Sequence, residues 1–188
     1  MLETTYFTNF TNHFLIAMPK LEDPLFFHTV TYICMHNERG AMGIIINRPM
    51  DVTLGDILAQ MDIEAKDSGA NSLPIFEGGP MQPERGFVIH QPTGQWEGML
   101  MVSDDLSVTT SRDILAAIAS GRGPQNALIA LGYAGWGAGQ LEHEFTGNVW
   151  LNTPAESHVI FNTPPEQRWH AAAACMGVDL ALLTTEVS

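Results

Sequence analysis

The chain has 188 residues, 45% of them hydrophobic, enough for one domain to bury a core without disulfide or metal staples. Eight basic against 21 acidic side chains leave a net charge of −13, spread evenly, with five against eleven in residues 1–94 and three against ten in 95–188. There is no basic arm or stripe to neutralise phosphates, so nucleic acid is not an expected partner, and no run approaches the ~20 apolar residues of a membrane span.

In chain order, β-branched and apolar residues predict strands over 12–18, 28–36 and 41–46. Asn37-Glu38-Arg39-Gly40 reads as the hairpin turn between the last two, with Gly40 at the positive-φ position. Pro49 is expected to stop regular structure, and Thr53 to cap a helix running to Met61 with Asp56 at its third position. Residues 62–72 are polar and read as an exposed connection. Strands follow near 73–77, 86–90, 98–103 and 106–109, then a helix from Ser111 to Ser120 with Ile114, Leu115 and Ile118 on one face.

Residues 126–132 form a further buried strand, with short strands at 148–152 and 157–161. A last helix is capped by Thr163, carries Pro164 at its first position and Glu166 in a capping box, and ends at Gly177. The order does not repeat as strict βαβ units, and the hairpins imply an α+β fold with a mixed, largely antiparallel sheet flanked by helices. The opening Met1-Leu2-Glu3 lacks a basic leader, so cytoplasmic residence is expected.

Four glycines in eight residues, Gly132, Gly135, Gly137 and Gly139, follow the apolar run Ala127–Leu131. Such a cluster marks positive φ or a very close approach by other atoms. It is not a P-loop, because no lysine follows Lys66, and Gln140 stands where a dinucleotide fingerprint beginning at Gly135 requires glycine. Two readings remain: a tight strand-to-helix turn with Trp136 packed over it, or a glycine-lined anion site at a helix N-terminus.

Other catalytic signatures fail. His143-Glu144 begins a zinc motif whose second histidine is replaced by Gly147, so no metal and no cofactor are expected. There is no G-x-S-x-G elbow. Cys34 and Cys175 read as small buried hydrophobes without a disulfide.

Polar residues at strand ends supply the candidate ligand or interaction site. Asn47 and Arg48 offer an amide and a planar fork for carboxylate or phosphate, or an arginine paired to a nearby acid. Gly78-Gly79 admits a backbone approach or simply turns the chain, and Arg85 carries the same ambiguity. Thr109, Thr110 and Ser111 present hydroxyls before a helix, with capping by Thr110 and Asp113 at the third helical position as the economical alternative. Gly135, Trp136, Gly139 and Gln140 complete the set with Glu142. Glu142 and Glu144 read as solvated residues of a short helix; the alternative is that Glu142 faces the Gly135 turn and acts as a base or pairs with Arg48 or Arg85.

These blocks resemble the AlgH/YqgE family of bacterial proteins. The resemblance rests on Gly132–Trp136, Gly139–Glu142 and Trp150-Leu151, and on His13–Pro19, Asp23-Pro24, His36–Glu38, Gly40–Gly43 and Ile46–Pro49. Gly78–Pro80, Arg85–Phe87, Thr109–Ser111 and Asp113 follow in order, so it covers about residues 12–183. The chain departs from the pattern in lacking a terminal Gly-His and in carrying Gly137 where relatives often have an acid, which argues against a catalytic acid there. The resemblance implies an α+β fold with a curled, partly barrel-like sheet. It also implies a regulatory link, named from genetic effects on alginate production in some members.

Three functions of different class follow. The first is a cytosolic accessory or regulatory protein acting through protein contacts tuned by a small ligand. The second is a binding protein or enzyme for a small anionic or nucleotide-like molecule at a glycine-lined site. The third, a DNA-binding regulator, is the one the charge opposes.

Overall fold

The structure is a computed structural model that describes residues 9–185 other than Thr93, without the side chains of Ser68, Thr184 and Thr185. The opening Met1-Leu2-Glu3 lies outside the described residues. Strands β1 (His13–Ala17), β2 (Val30–Asn37) and β3 (Gly40–Ile45) form an antiparallel meander, and β10 (Trp150–Pro154) pairs with the outer edge of β1. A second group comprises β4 (Pro49–Thr53), β5 (Pro74–Glu77), β6 (Met81–His90), β7 (Met99–Met101) and β8 (Ser107–Thr109). The long β9 (Ala127–Gly137) joins the two groups into one ten-stranded, mostly antiparallel sheet curled into a half-barrel.

The joint explains the first of the clustered glycines. Residues Ile129–Leu131 of β9 run parallel to β5, whereas Ala134–Gly137 run antiparallel to β3. Between these stretches Gly132 sits at φ +78°, and a Cβ there would lie 2.4 Å from the carbonyl oxygen of Gly79. Only glycine allows the strand to turn from one partner to the other at that separation. Gly40 occupies the β2–β3 hairpin at φ +141°, as its sequence predicts.

Helices cover three faces. Short α1 (Leu54–Gln60), α2 (Ser68–Asn71) and α3 (Arg112–Ala119) bury Leu54, Leu58, Ile114 and Ile118 against Ile75, Val88 and Ile129. The helix α4 (Gln140–Thr146) packs Leu141 with Leu15, Ile33, Trp136 and Trp150. On the opposite side, α5 (Ser157–Phe161), α6 (Arg168–Ala174) and α7 (Leu180–Thr185) cover Phe14, Ile16, Tyr32 and Ile44. Alternate residues of β1 thus enter different cores, and both faces of the sheet are buried.

Several expectations are corrected. Pro49 begins β4 instead of ending regular structure, because β4 pairs only with β5 and proline is tolerated on such an edge. Residues 157–161 form α5, a short apolar run whose period alone cannot separate strand from helix. The connection 62–72 contains α2, capped by Asp67, whose Oδ1 accepts from the Gly69 N–H. The strand expected at 126–132 continues to Gly137, so most of the glycine block is strand, and the turn into α4 is confined to 138–139.

Thr163 does not cap the last helix. Pro165–Gln167 makes a 3-10 turn before α6, and the Thr163 hydroxyl donates to the His158 carbonyl at 2.9 Å. α6 stops at Ala174, and α7 was not foreseen. The cap of α3 is Ser111 rather than Thr110. Its hydroxyl donates to Asp113, holding that exposed carboxyl below its ordinary range.

Candidate functional site

The sequence-selected residues occupy distinct parts of the fold. Around the end of β9, the polar side chains fasten the structure. Glu144 Oε1 accepts from the indole N–H groups of Trp150 (2.9 Å) and Trp136 (3.2 Å), while its Oε2 accepts from Gln140 Nε2 (3.1 Å). Gln140 Oε1 in turn accepts from the Gly137 N–H at 2.9 Å, and Gly139 starts α4 at φ +73°.

Glu142 pairs with His36, not with Arg48 or Arg85. His36 is buried, and its Nδ1 accepts from the Phe10 N–H at 2.9 Å. The neutral ring therefore carries its proton on Nε2 and donates it to the Glu142 carboxylate. Gly135 lies in β9, where a Cβ added to it would face the Tyr133 ring.

Gly78 and Gly79 face the backbone of β9. A Cβ on Gly78 would stand 2.3 Å from the Gly132 carbonyl oxygen, and one on Gly79 would stand 2.1 Å from the Tyr133 carbonyl carbon. This is a close approach by backbone. Arg85 is exposed, lies 5.4 Å over the Phe87 ring and donates to Gln82 at 3.4 Å.

Thr109, Thr110 and Ser111 line a cleft of about 480 Å³ between the sheet and helices α1 and α3, walled by Ile57, Val88, Leu115 and Ile129. His90 Nε2 lies 2.7 Å from Thr109 Oγ1, and its Nδ1 lies 2.7 Å from the Gln91 carbonyl oxygen. A carbonyl only accepts, so Nδ1 bears the proton and Nε2 accepts from the Thr109 hydroxyl. Burial pushes the His90 pKa below its ordinary value, against the opposing effect of the Gln91 carbonyl, and keeps the ring neutral. This is the relation of a base to a hydroxyl nucleophile, but Thr109 is itself fully buried and the pair ties β6 to β8.

Asn47 and Arg48 open onto a different cleft, of about 370 Å³, shared with Phe27, His28, Glu166, Trp169 and His170. Asn47 is spent on the backbone, accepting from the Val30 N–H and donating to the His28 carbonyl, both at 2.9 Å. Arg48 donates to the carbonyls of Leu25, Pro24 (3.1 Å) and Phe27 (3.3 Å). Among the described residues no carboxylate is in ion-pair contact with it.

The cleft wall is aromatic. The His28 ring stacks between Phe27 and Trp169, each centroid 3.8 Å away, from a backbone at φ +53°, a strained region for a residue other than glycine. Burial, and then the nearby His170, hold the His28 pKa below its ordinary value.

Residues 14–181 match the model of the AlgH-like family. The chain belongs to that family. It is 60% identical over 177 residues to a UPF0301 protein of Thioalkalivibrio sulfidiphilus, covering 94% of this chain and 95% of that one. A UPF0301 protein of Nitrosococcus oceani is 57% identical, with 95% of each chain covered. Among solved structures, the solution structure of the AlgH protein from Pseudomonas aeruginosa superposes with a TM-score of 0.80 at 45% identity, covering 100% and 99% of the two chains. Protein DIP2367 from Corynebacterium diphtheriae shares the fold, with a TM-score of 0.73 at 17% identity over 92% and 90%.

Sequence reasoning missed several residues of this AlgH-like chain. Arg168 is buried, donates from Nε to the Thr163 carbonyl (2.9 Å) and from Nη1 to the Ile46 carbonyl, and lies 4.9 Å over the Phe76 ring. Burial lowers its pKa to about 10, with Glu166 opposing. His90 and Trp169 were missed as well, and Glu144, expected to be solvated, is partly buried and accepts from Trp136, Trp150 and Gln140. The available signal was an isolated polar residue inside an otherwise apolar run, clearest for His90 after Phe87-Val88-Ile89. Among the described residues no helix is long and apolar enough to cross a membrane.

Proposed function

We propose that this AlgH-like protein is an accessory or regulatory protein whose contacts with a protein partner are tuned by a small anionic ligand held at Arg48. The observation that carries this reading is the dual position of Arg48. Its guanidinium is in ion-pair contact with no acid among the described residues, and its hydrogen bonds shape the turn over residues 24–28. That turn displays Leu25 and Phe27, 41% and 48% exposed, an apolar pair suited to a protein contact.

A guanidinium has five N–H donors in a fork that fits carboxylate or phosphate. Three are engaged with carbonyls. An anion seated in the cleft competes for the fork and changes how the turn presents its apolar residues. The aromatic wall of Phe27, His28 and Trp169 suits a flat group on the same ligand, and 370 Å³ suits a small one. Cytoplasmic residence fits this reading.

The test is thermal unfolding of the full chain with inorganic phosphate, adenosine monophosphate and benzoate in turn. A ligand at a hundredfold its dissociation constant adds about 2.7 kcal/mol, which for this size raises Tm by about 5–11 °C. The reading expects at least one such shift, lost in Arg48→Ala while the variant stays folded. No shift with any of the three, or an equal shift in the variant, refutes it.

A further inference from the structure

Away from the Arg48 cleft, three side chains of different donor chemistry meet where α5 begins and α6 ends. Glu156 precedes α5, His158 lies in its first turn, and Cys175 follows the last residue of α6. Both His158 Nδ1 and Cys175 Sγ stand 3.3 Å from the same oxygen, Glu156 Oε2. One ligand atom from each residue lies within 4.8 Å of the others. We infer that Glu156, His158 and Cys175 form a binding site for a divalent transition metal of the zinc class, with the remaining coordination position open to solvent.

The distances fit the chemistry. Zinc bonds of about 2.0–2.3 Å in tetrahedral geometry place neighbouring ligand atoms about 3.3–3.6 Å apart. The His158–Glu156 separation of 3.3 Å already matches, and the Cys175–Glu156 separation of 3.3 Å is about 0.3 Å short of the thiolate value. The third closes by rotation of side chains, since Glu156 and His158 are half exposed. A carboxylate, an imidazole and a thiolate together favour zinc-like ions over magnesium or calcium, which take oxygen donors.

Glu156 and His158 also line a cleft of about 270 Å³ that presents Asp105, leaving room for water or an exogenous ligand at the open position. Three protein ligands with one open position is the arrangement of an exchangeable or reactive metal site rather than of a closed structural one. The sequence conceals the cluster because Cys175 lies 19 residues from Glu156. Cys175 was expected as a buried hydrophobe and is instead partly exposed.

The experiment is a cobalt(II) titration of the reduced full chain after chelator treatment, followed by absorption spectroscopy. One equivalent is expected to give a thiolate-to-cobalt charge-transfer band and the intense visible bands of four-coordinate cobalt, both displaced by zinc. Cys175→Ser is expected to abolish the charge-transfer band. His158→Gln is expected to weaken affinity at least about tenfold, since even residues behind a metal ligand matter that much. No thiolate band at one equivalent overturns the site, as does a spectrum unchanged in Cys175→Ser. Should Cys175→Ser fail to fold, His158→Gln and Glu156→Gln, on exposed side chains, decide the matter. Unchanged cobalt affinity in both overturns the site.

Discussion

Replacing Gly132 by alanine puts a methyl group where β9 changes partners. The added Cβ would lie 2.4 Å from the Gly79 carbonyl oxygen, 3.1 Å from that of Met81 and 3.3 Å from Pro83 Cα. All three are backbone atoms, so no side-chain rotation relieves the contact. The φ of +78° adds about 1–2 kcal/mol for an L-residue, and forcing atoms into a packed interior adds about 1–3 kcal/mol. The expected loss is therefore about 2–5 kcal/mol. The control is Gly135→Ala, three residues on. There φ is ordinary and the nearest atom to the built Cβ is Tyr133 Cε2 at 3.6 Å. Alanine should be neutral or stabilising there, by up to about 1 kcal/mol. Calorimetry of both variants should show Gly132→Ala melting lower by about 4–20 °C, since each kcal/mol moves Tm about 2–4 °C at this size. A Gly132→Ala variant melting with the wild type, or a Gly135→Ala variant falling equally far, refutes the argument that close backbone packing fixes Gly132 and not Gly135.

Two further outcomes follow from buried hydrogen bonds. Glu144→Ala strips the acceptor from the Trp136 and Trp150 indoles and should cost about 1–3 kcal/mol; Glu144→Gln, keeping one oxygen, should cost less, and urea unfolding midpoints compare them. His90 makes stability depend on pH. Its folded-state pKa lies below the ordinary 6.5, so below about pH 6.5 the unfolded chain takes up the proton first and stability falls as pH falls toward the folded-state value. His90→Gln should remove that part of the pH slope; an unchanged slope, or protonation of His90 at its ordinary pH by NMR, contradicts the assignment.

The strands were legible where a short run of β-branched and apolar residues was buried on both faces, as in β1 and β3, and the hairpin at Gly40 followed from its turn residues. His36 shows why more was not. Strict alternation in β2 puts it on the face of Tyr32 and Cys34, but the register shifts between Ile33 and Met35. That bulge returns His36 to the face of Ile33, under α4 and beside Glu142. Such an insertion depends on partner strands and leaves no local trace.

Arg48 was visible as a fork at a strand end. Its partners were not, because it engages carbonyls, which carry no side-chain signature. Trp169 and His170 lie more than a hundred residues away, and only the docking of α6 brings them to the same cleft. The glycine cluster was located correctly, but its members serve different ends: Gly132 allows a strand to switch partners, and Gly139 opens α4.

The most direct test of the functional account is an NMR titration of the full chain with whichever of phosphate, adenosine monophosphate and benzoate raises Tm, observing the Trp169 indole and the Leu25 and Phe27 amides together. The account predicts that all three move along one saturable curve and that Arg48→Ala abolishes the response. Shifts centred on Thr109–Arg112 instead, or a response unchanged in Arg48→Ala, would contradict it.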